Sequence, residues 1–242
     1  AFFAEPIMGA GGVVTPPKTY FEKIQAVLKK HDVLFVADEV ICGFMRTGNF
    51  WACETFDIKP DILVCAKALS SSYLPISGTI ISDNIYQVIA DASAKLGVFG
   101  HGYTYSGHPV AAAAGCAVLK EIDSKDLVSR VHELGPRFER ALREQFLDHQ
   151  MVGDIRGRGL FWAIELVSNK ETKEPFDPAL RLAANIKKTA FENGLICYPM
   201  AGTRDGITGD HVLLAPPFII DDIQIDELID KLALAIDACA PQ

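Results

Sequence analysis

Lys67 follows the apolar run Asp61-Ile-Leu-Val-Cys-Ala66 and opens a small, polar stretch, Ala68-Leu-Ser-Ser-Ser72. A lysine at the mouth of a buried strand, rather than on a solvated face, is where an amine loses water and becomes a nucleophile. Asp38 stands in a matching place, closing a second apolar run, Val33-Leu-Phe-Val-Ala37, with Glu39-Val40 after it. A carboxylate and an amine thus fall at the C-terminal ends of two expected parallel strands, the edge where open α/β sheets bind ligands. Each has an ordinary alternative when taken alone: Lys67 as a surface lysine at a strand end, Asp38 as the cap of the turn that follows.

The elements that must position them are legible as alternating patterns. Phe2–Ala4 reads as a strand and Gly9-Ala-Gly-Gly12 as a turn; Tyr20–Lys30 reads as a helix, with Phe21, Ile24, Val27 and Leu28 at helical spacing. Val33–Ala37 and Ile62–Cys65 are strands separated by helical or loop segments, which predicts a parallel sheet. Gly78–Ile81 is a further strand. The dozen residues Ala66–Ser77 before it carry no crossover helix, so it is expected antiparallel. Pro109 occupies the first position of the helix Val110–Ile122, and an amphipathic helix, Leu127–Phe146, is expected to bend at Gly135-Pro136. From about residue 150 the texture is α+β: strand Leu160–Val167, helix Pro178–Asn193, short strands Leu195–Tyr198 and His211–Ala215 around the loop Ala201–Asp210, and a last helix, Asp222–Cys239. The expected division is 1–124 and 125–242.

Composition narrows the function. With 242 residues, 49% hydrophobic and 22% charged, the chain is ordinary for a soluble globular protein. A net charge of -8 without a Lys/Arg cluster argues against a nucleic-acid surface. The six cysteines form no CxxC pair, which suits buried thiols in a reducing compartment rather than zinc or disulfides. No apolar run approaches the roughly 20 residues that span a bilayer, and no signal-peptide pattern opens the chain, so a cytoplasmic protein is expected. The opening Ala-Phe-Phe-Ala-Glu-Pro looks like the end of a buried strand that needs a neighbour. A fragment is expected, its N-terminal half missing or carried by a separate chain.

Glu5-Pro-Ile-Met-Gly-Ala-Gly-Gly12, Asp38-Glu-Val-Ile-Cys-Gly-Phe44, Arg46-Thr-Gly48, Lys59-Pro-Asp-Ile62, Ala66-Lys67 and Gly102-Tyr-Thr-Tyr-Ser-Gly-His-Pro109 run in order along the chain. With Gly209-Asp-His211 and Ala215-Pro-Pro-Phe218 they resemble the class III pyridoxal-phosphate-dependent aminotransferases of fold type I. The resemblance implies an α/β large domain, incomplete here, whose mostly parallel sheet has one antiparallel strand, plus a C-terminal α+β small domain. It implies pyridoxal 5'-phosphate as cofactor and no metal. Lys67 is then the covalent anchor and proton carrier, and Asp38 the carboxylate that keeps the ring nitrogen protonated, which makes the ring an electron sink. Val40 is the apolar packer on one ring face and Thr104 the hydroxyl that reaches the phosphate of the neighbouring subunit, which implies a homodimer with composite sites. Plain readings stand beside these: Val40 as core and Thr104 as a helix-capping hydroxyl.

The branch is suggested by Ala10, where the ornithine and 4-aminobutyrate group carries a glutamate; the turn and Gly102–Pro109 resemble the ω-amino acid:pyruvate group instead. Such an enzyme accepts an amine end without an α-carboxylate and also an α-keto acid, a demand that a mobile arginine meets. Arg204, the arginine of the Tyr198–His211 loop, is the substrate-binding candidate, with a solvated loop arginine as its alternative; Arg158 is a weaker one. Met45, Ala68 and Ser72 depart from the family's glycines, where free dihedrals help the chain turn. The expected activity moves an amino group from an ω-amino acid or primary amine to pyruvate or a similar keto acid. An aminomutase or decarboxylase of the same fold, and a non-catalytic fragment, are the alternatives.

Overall fold

The computed structural model describes residues 1–241 and divides into two compact units. The first comprises Ala1–Pro6, Pro16–Met45 and Asn49–Val128; the second comprises Ile7–Thr15, Arg46–Gly48 and Ser129 onward. The sequence division at residue 124 follows the chain, whereas these units do not: the Gly9–Gly12 turn and Arg46–Gly48 cluster with the later residues.

The first unit is built on a sheet of four strands in the order β1 (Phe2–Ala4), β2 (Phe35–Asp38), β3 (Ile62–Cys65), β4 (Gly78–Ile81). The first three are parallel and β4 runs antiparallel to β3, because the short return before it holds only a 3-10 turn, Lys67–Ser70. Helix α1 (Tyr20–Lys30) buries Phe21, which stacks on Phe35 with centroids 6.1 Å apart; Phe56 and Phe2 complete the cluster. Asp61 accepts a hydrogen bond from the Phe35 amide at 2.8 Å, tying the start of β2 to the approach to β3. Short α2 (Ala52–Thr55), α3 (Asp83–Leu96) and α4 (Pro109–Ser124) complete the unit. Pro109 is the first residue of α4, as expected, while α3 has no counterpart among the expected elements and buries none of its side chains.

In the second unit, α5 (Leu127–Phe146) continues without interruption through Pro136. Gly135 is needed there for close approach: a β-carbon on it would lie 3.1 Å from the Gly159 α-carbon. β5 (Val152–Arg158) and β6 (Phe161–Leu166) form a hairpin, followed by α6 (Leu182–Glu192), β7 (Tyr198–Ala201), β8 (Asp210–Leu214) and α7 (Asp222–Ala238). The sheet order is β5-β6-β8-β7, antiparallel throughout, over a core that includes Phe138, Phe146, Phe161, Ile186, Ile225 and Leu232.

Two expected spans are corrected. The helix Pro178–Asn193 is a 3-10 turn, Pro178–Leu180, then Arg181 at φ 50°, then α6. Asp177 captures the Ala179 amide at 2.9 Å and closes the turn early, and Asp210 accepts the Ala183 amide at 3.2 Å in the new helix. The strand expected at Leu195–Tyr198 begins where that span ends, because the Leu195 amide still bonds back to the Ala190 carbonyl at 2.8 Å. Pro199 is accommodated because β7 is an edge strand.

Candidate active site

Asp38 is the last residue of β2 and lies in register with Val64 of β3, three positions before Lys67. The two side chains with chemical potential therefore leave neighbouring parallel strands at the same C-terminal edge. Asp38 Oδ1 accepts the Val40 amide at 3.0 Å. The turn-capping alternative is thus real, but it uses one oxygen; Oδ2 has no partner among the described residues. Val40 is placed by this turn rather than by strand alternation, since β2 has ended, and it is half-buried.

Lys67 stands at φ 47° at the head of its 3-10 turn, a left-handed backbone that a side chain adopts at a cost of roughly 1–3 kcal/mol. Its amine makes no hydrogen bond or ion pair among the described residues. The expected desolvation is not supplied by these residues: the side chain is exposed. α4 rests on this turn through Gly115, whose β-carbon would meet the Leu69 carbonyl oxygen at 3.6 Å. Thr104 lies in the turn that leads into α4. It does not cap that helix, because the N-cap is His108 and no side chain caps it. Ser106 accepts the Tyr103 amide at 2.9 Å, and the Thr104 hydroxyl is left without a partner among the described residues.

Glu39 is the residue that sequence reasoning missed. It is fully buried, its amide donates to the Val64 carbonyl at 2.9 Å, and its Oε1 accepts the Cys53 amide at 2.6 Å, which anchors the loop after β2 to α2. Oε2 has no partner among the described residues, and burial raises the carboxyl pKa above its ordinary value of 4.5. The burial of Glu39 follows from the pairing of β2 with β3, which the sequence alone does not show. Of the family's glycine positions, Met45 (φ 60°) and Ser72 (φ 64°) hold left-handed backbone and Ala68 does not.

In the second unit, Arg204 is exposed on the β7–β8 loop and its guanidinium makes no hydrogen bond or ion pair among the described residues. Arg158 is also exposed and lines a cavity of about 490 Å³ with Thr47, His132, Glu139, Arg143 and Trp162. Arg156, two residues earlier, is fully engaged: it donates to the Gly12 carbonyl at 2.7 Å, to Asp154 at 3.1 Å and to Glu165.

A mixed sheet that ends an aspartate and a lysine at one edge, flanked by helices, defines an α/β fold of the kind used by fold type I pyridoxal-phosphate enzymes. A family model for class III aminotransferases matches residues 1–236, and the chain belongs to that family. It is 44% identical over 236 residues to gamma aminobutyrate transaminase 3 (chloroplastic) of Solanum lycopersicum, an alignment covering 98% of this chain and 44% of the relative. A solved transaminase with L-alanine superimposes with a TM-score of 0.90 at 47% identity, covering 98% of this chain and 54% of that one. A pyridoxal-phosphate-bound aminotransferase mutant from Vibrio fluvialis superimposes at 0.92 and 39% identity, covering 98% and 51%. The chain spans about half the length of the curated relatives it matches. Pyridoxal phosphate is the cofactor of this family, and the residues here fit it: an unpartnered carboxylate oxygen, an unpartnered amine and an unpartnered hydroxyl lie in one compact unit.

Proposed function

We propose that the protein containing this chain is a pyridoxal-phosphate-dependent transaminase that moves an amino group from an ω-amino acid or primary amine to pyruvate or a similar keto acid. The observation that carries this reading is the register of β2 with β3, which pairs Asp38 with Val64, three residues before Lys67, at one sheet edge. When bound, the cofactor supplies a ring that accepts electrons from the substrate carbon whose proton is removed. Lys67 would hold the cofactor covalently and, as a free amine, would take and return a proton at its Nζ. Asp38 would keep a proton on the ring nitrogen through its free oxygen, while its other oxygen stays fixed by the Val40 amide. Val40 would pack on the ring, and Thr104 would donate to the phosphate of a second copy. Arg204 pairs with the carboxylate of the keto acid.

The donor class is supported by the tomato relative, since γ-aminobutyrate itself carries its amine on a carbon remote from the carboxylate. The homodimer is supported by a run of exposed residues from Ala94 to Val110 that includes Val98, Tyr103 and Tyr105, a surface of the kind that assembly covers. The test is borohydride reduction of the cofactor-loaded protein followed by peptide mapping. The pyridoxyl mass is expected on Lys67; a label on another lysine overturns the assignment. Alanine formed from pyruvate and an amine donor separates transamination from mutase or decarboxylase chemistry.

A further inference from the structure

We infer that Thr203 and His211 are positioning residues for Arg204, a hydroxyl and a buried imidazole that fix the loop presenting the guanidinium to a substrate carboxylate. The inference rests on the reading of Arg204 as that anchor. The loop from Gly202 to Gly209 closes on itself: the Thr203 amide donates to the Gly209 carbonyl at 3.2 Å, Arg204 to Thr208 at 3.0 Å and Gly206 to Gly202 at 3.0 Å. Asp205 braces the tip by accepting the Ile207 amide at 2.9 Å and the Thr208 amide and hydroxyl at 2.6 and 2.9 Å. The tip is therefore closed by its own hydrogen bonds, and its attitude is set where it joins the body.

That joint is Thr203. Its Oγ1 lies 2.7 Å from Nδ1 of His211, a β8 residue only 1% exposed. The Gly9–Gly12 turn closes the other side. A β-carbon on Gly12 would lie 3.0 Å from Thr203 Cγ2, 3.5 Å from His211 Nδ1 and 2.8 Å from the Arg156 guanidinium, so only glycine fits there. Arg156 clamps the same turn through the Gly12 carbonyl and is itself paired with Glu165 and Asp154, which leaves Arg204 as the loop's uncommitted cation.

The Thr203–His211 contact can be made by either neutral tautomer. Thr203 Oγ1 has one proton, and the Gly209 carbonyl 3.4 Å away is one acceptor for it. With the hydroxyl turned to that carbonyl, Nδ1 of His211 donates to Oγ1; with it turned to Nδ1, the proton of the neutral ring sits on Nε2. Nε2 has no partner among the described residues. Burial and the nearby Arg156 charge hold the imidazole neutral, with its pKa lowered to about 4. A buried imidazole with one orphaned nitrogen adds little to the core. The contact that uses its polarity is the one to the residue beside Arg204.

The test uses the cofactor-loaded full polypeptide and compares two acceptors, pyruvate and an aldehyde without a carboxylate. Thr203→Val and His211→Phe are expected to raise the KM for pyruvate about tenfold relative to that for the aldehyde, with Thr203→Ser restoring the ratio. Amide exchange at residues 204–208 should quicken in Thr203→Val. Equal losses with both acceptors, or an unchanged ratio in Thr203→Val while Arg204→Leu raises it, overturn the positioning role alone. An unchanged ratio in Arg204→Leu overturns the anchor reading and this inference with it.

Discussion

One oxygen of the Asp38 carboxylate holds the Val40 amide, and the other, without a partner among the described residues, is the one that the proposed function gives to the ring N–H. Asp38→Asn keeps the size and the first hydrogen bond while removing the charge. It is expected to leave thermal stability close to that of the parent and to lower kcat by about 10²–10³, the usual loss when one preorganised electrostatic partner of the reacting system is removed. Single-turnover rates and a melting curve on the same preparation check both halves. Glu39, its neighbour, answers to stability instead. Its folded pKa is raised by burial, so its contribution is fully present below the unfolded value of 4.5 and is lost as pH rises through the folded one. Glu39→Gln should therefore be at least as stable as the parent at neutral pH, with a flatter dependence on pH. Glu39→Ala should lose about 1–3 kcal/mol by orphaning the Cys53 amide. Urea midpoints across acidic to neutral pH distinguish the three proteins.

At the scale of elements, the turn after Lys67 carries backbone strain that its sequence does not relieve. Ser72 is exposed at φ 64°, where a glycine has no β-carbon to object. Ser72→Gly is expected to stabilise by about 0.5–1 kcal/mol, read as a shift in denaturation midpoint. Met45 at φ 60° is different, because its side chain is 1% exposed and its removal would open the core. In the other sheet, His211 has a folded pKa of about 4 against an ordinary 6.5. The unfolded chain takes up a proton first as pH falls, so stability is full above about 6.5 and is lost toward 4, by on the order of 3 kcal/mol. A His211→Phe variant that still folds should lack this acid-side decline. The strands and helices with regular periods, such as Tyr20–Lys30 and Ile62–Cys65, were legible from sequence because one face of each is apolar. β5 was not, since a register shift between Val152 and Asp154 and glycines at 153 and 157 erase the alternation. α3 had Ile85, Val88, Ile89 and Ala92 at helical spacing and could have been found. The edge that joins Asp38 to Lys67 was legible too, whereas Glu39 and the His211–Thr203 contact needed the pairing of β2 with β3 and of β7 with β8.

For the whole molecule, the exposed run Ala94–Val110 and the free Thr104 hydroxyl raise one question that subunit mixing can answer: whether a site is completed in trans. For the proposed homodimer, take one variant carrying Lys67→Ala and another carrying a Thr104 substitution bulky enough to block phosphate binding, such as Thr104→Asp, which also places a negative charge against the phosphate. In a hybrid of the two, the subunit with an intact Lys67 faces a partner with an intact Thr104 if the threonine works across the interface. One site in two is then complete, and activity recovers to about half the parent value per hybrid dimer. If Thr104 serves the site of its own subunit, every site in the hybrid lacks one of the two residues and mixing restores nothing. Activity after unfolding and refolding the two variants together, with each refolded alone as the baseline, reads the difference directly. Recovery assigns the composite site to the dimer. Its absence, in a preparation shown by mass to contain hybrids, confines Thr104 to its own subunit.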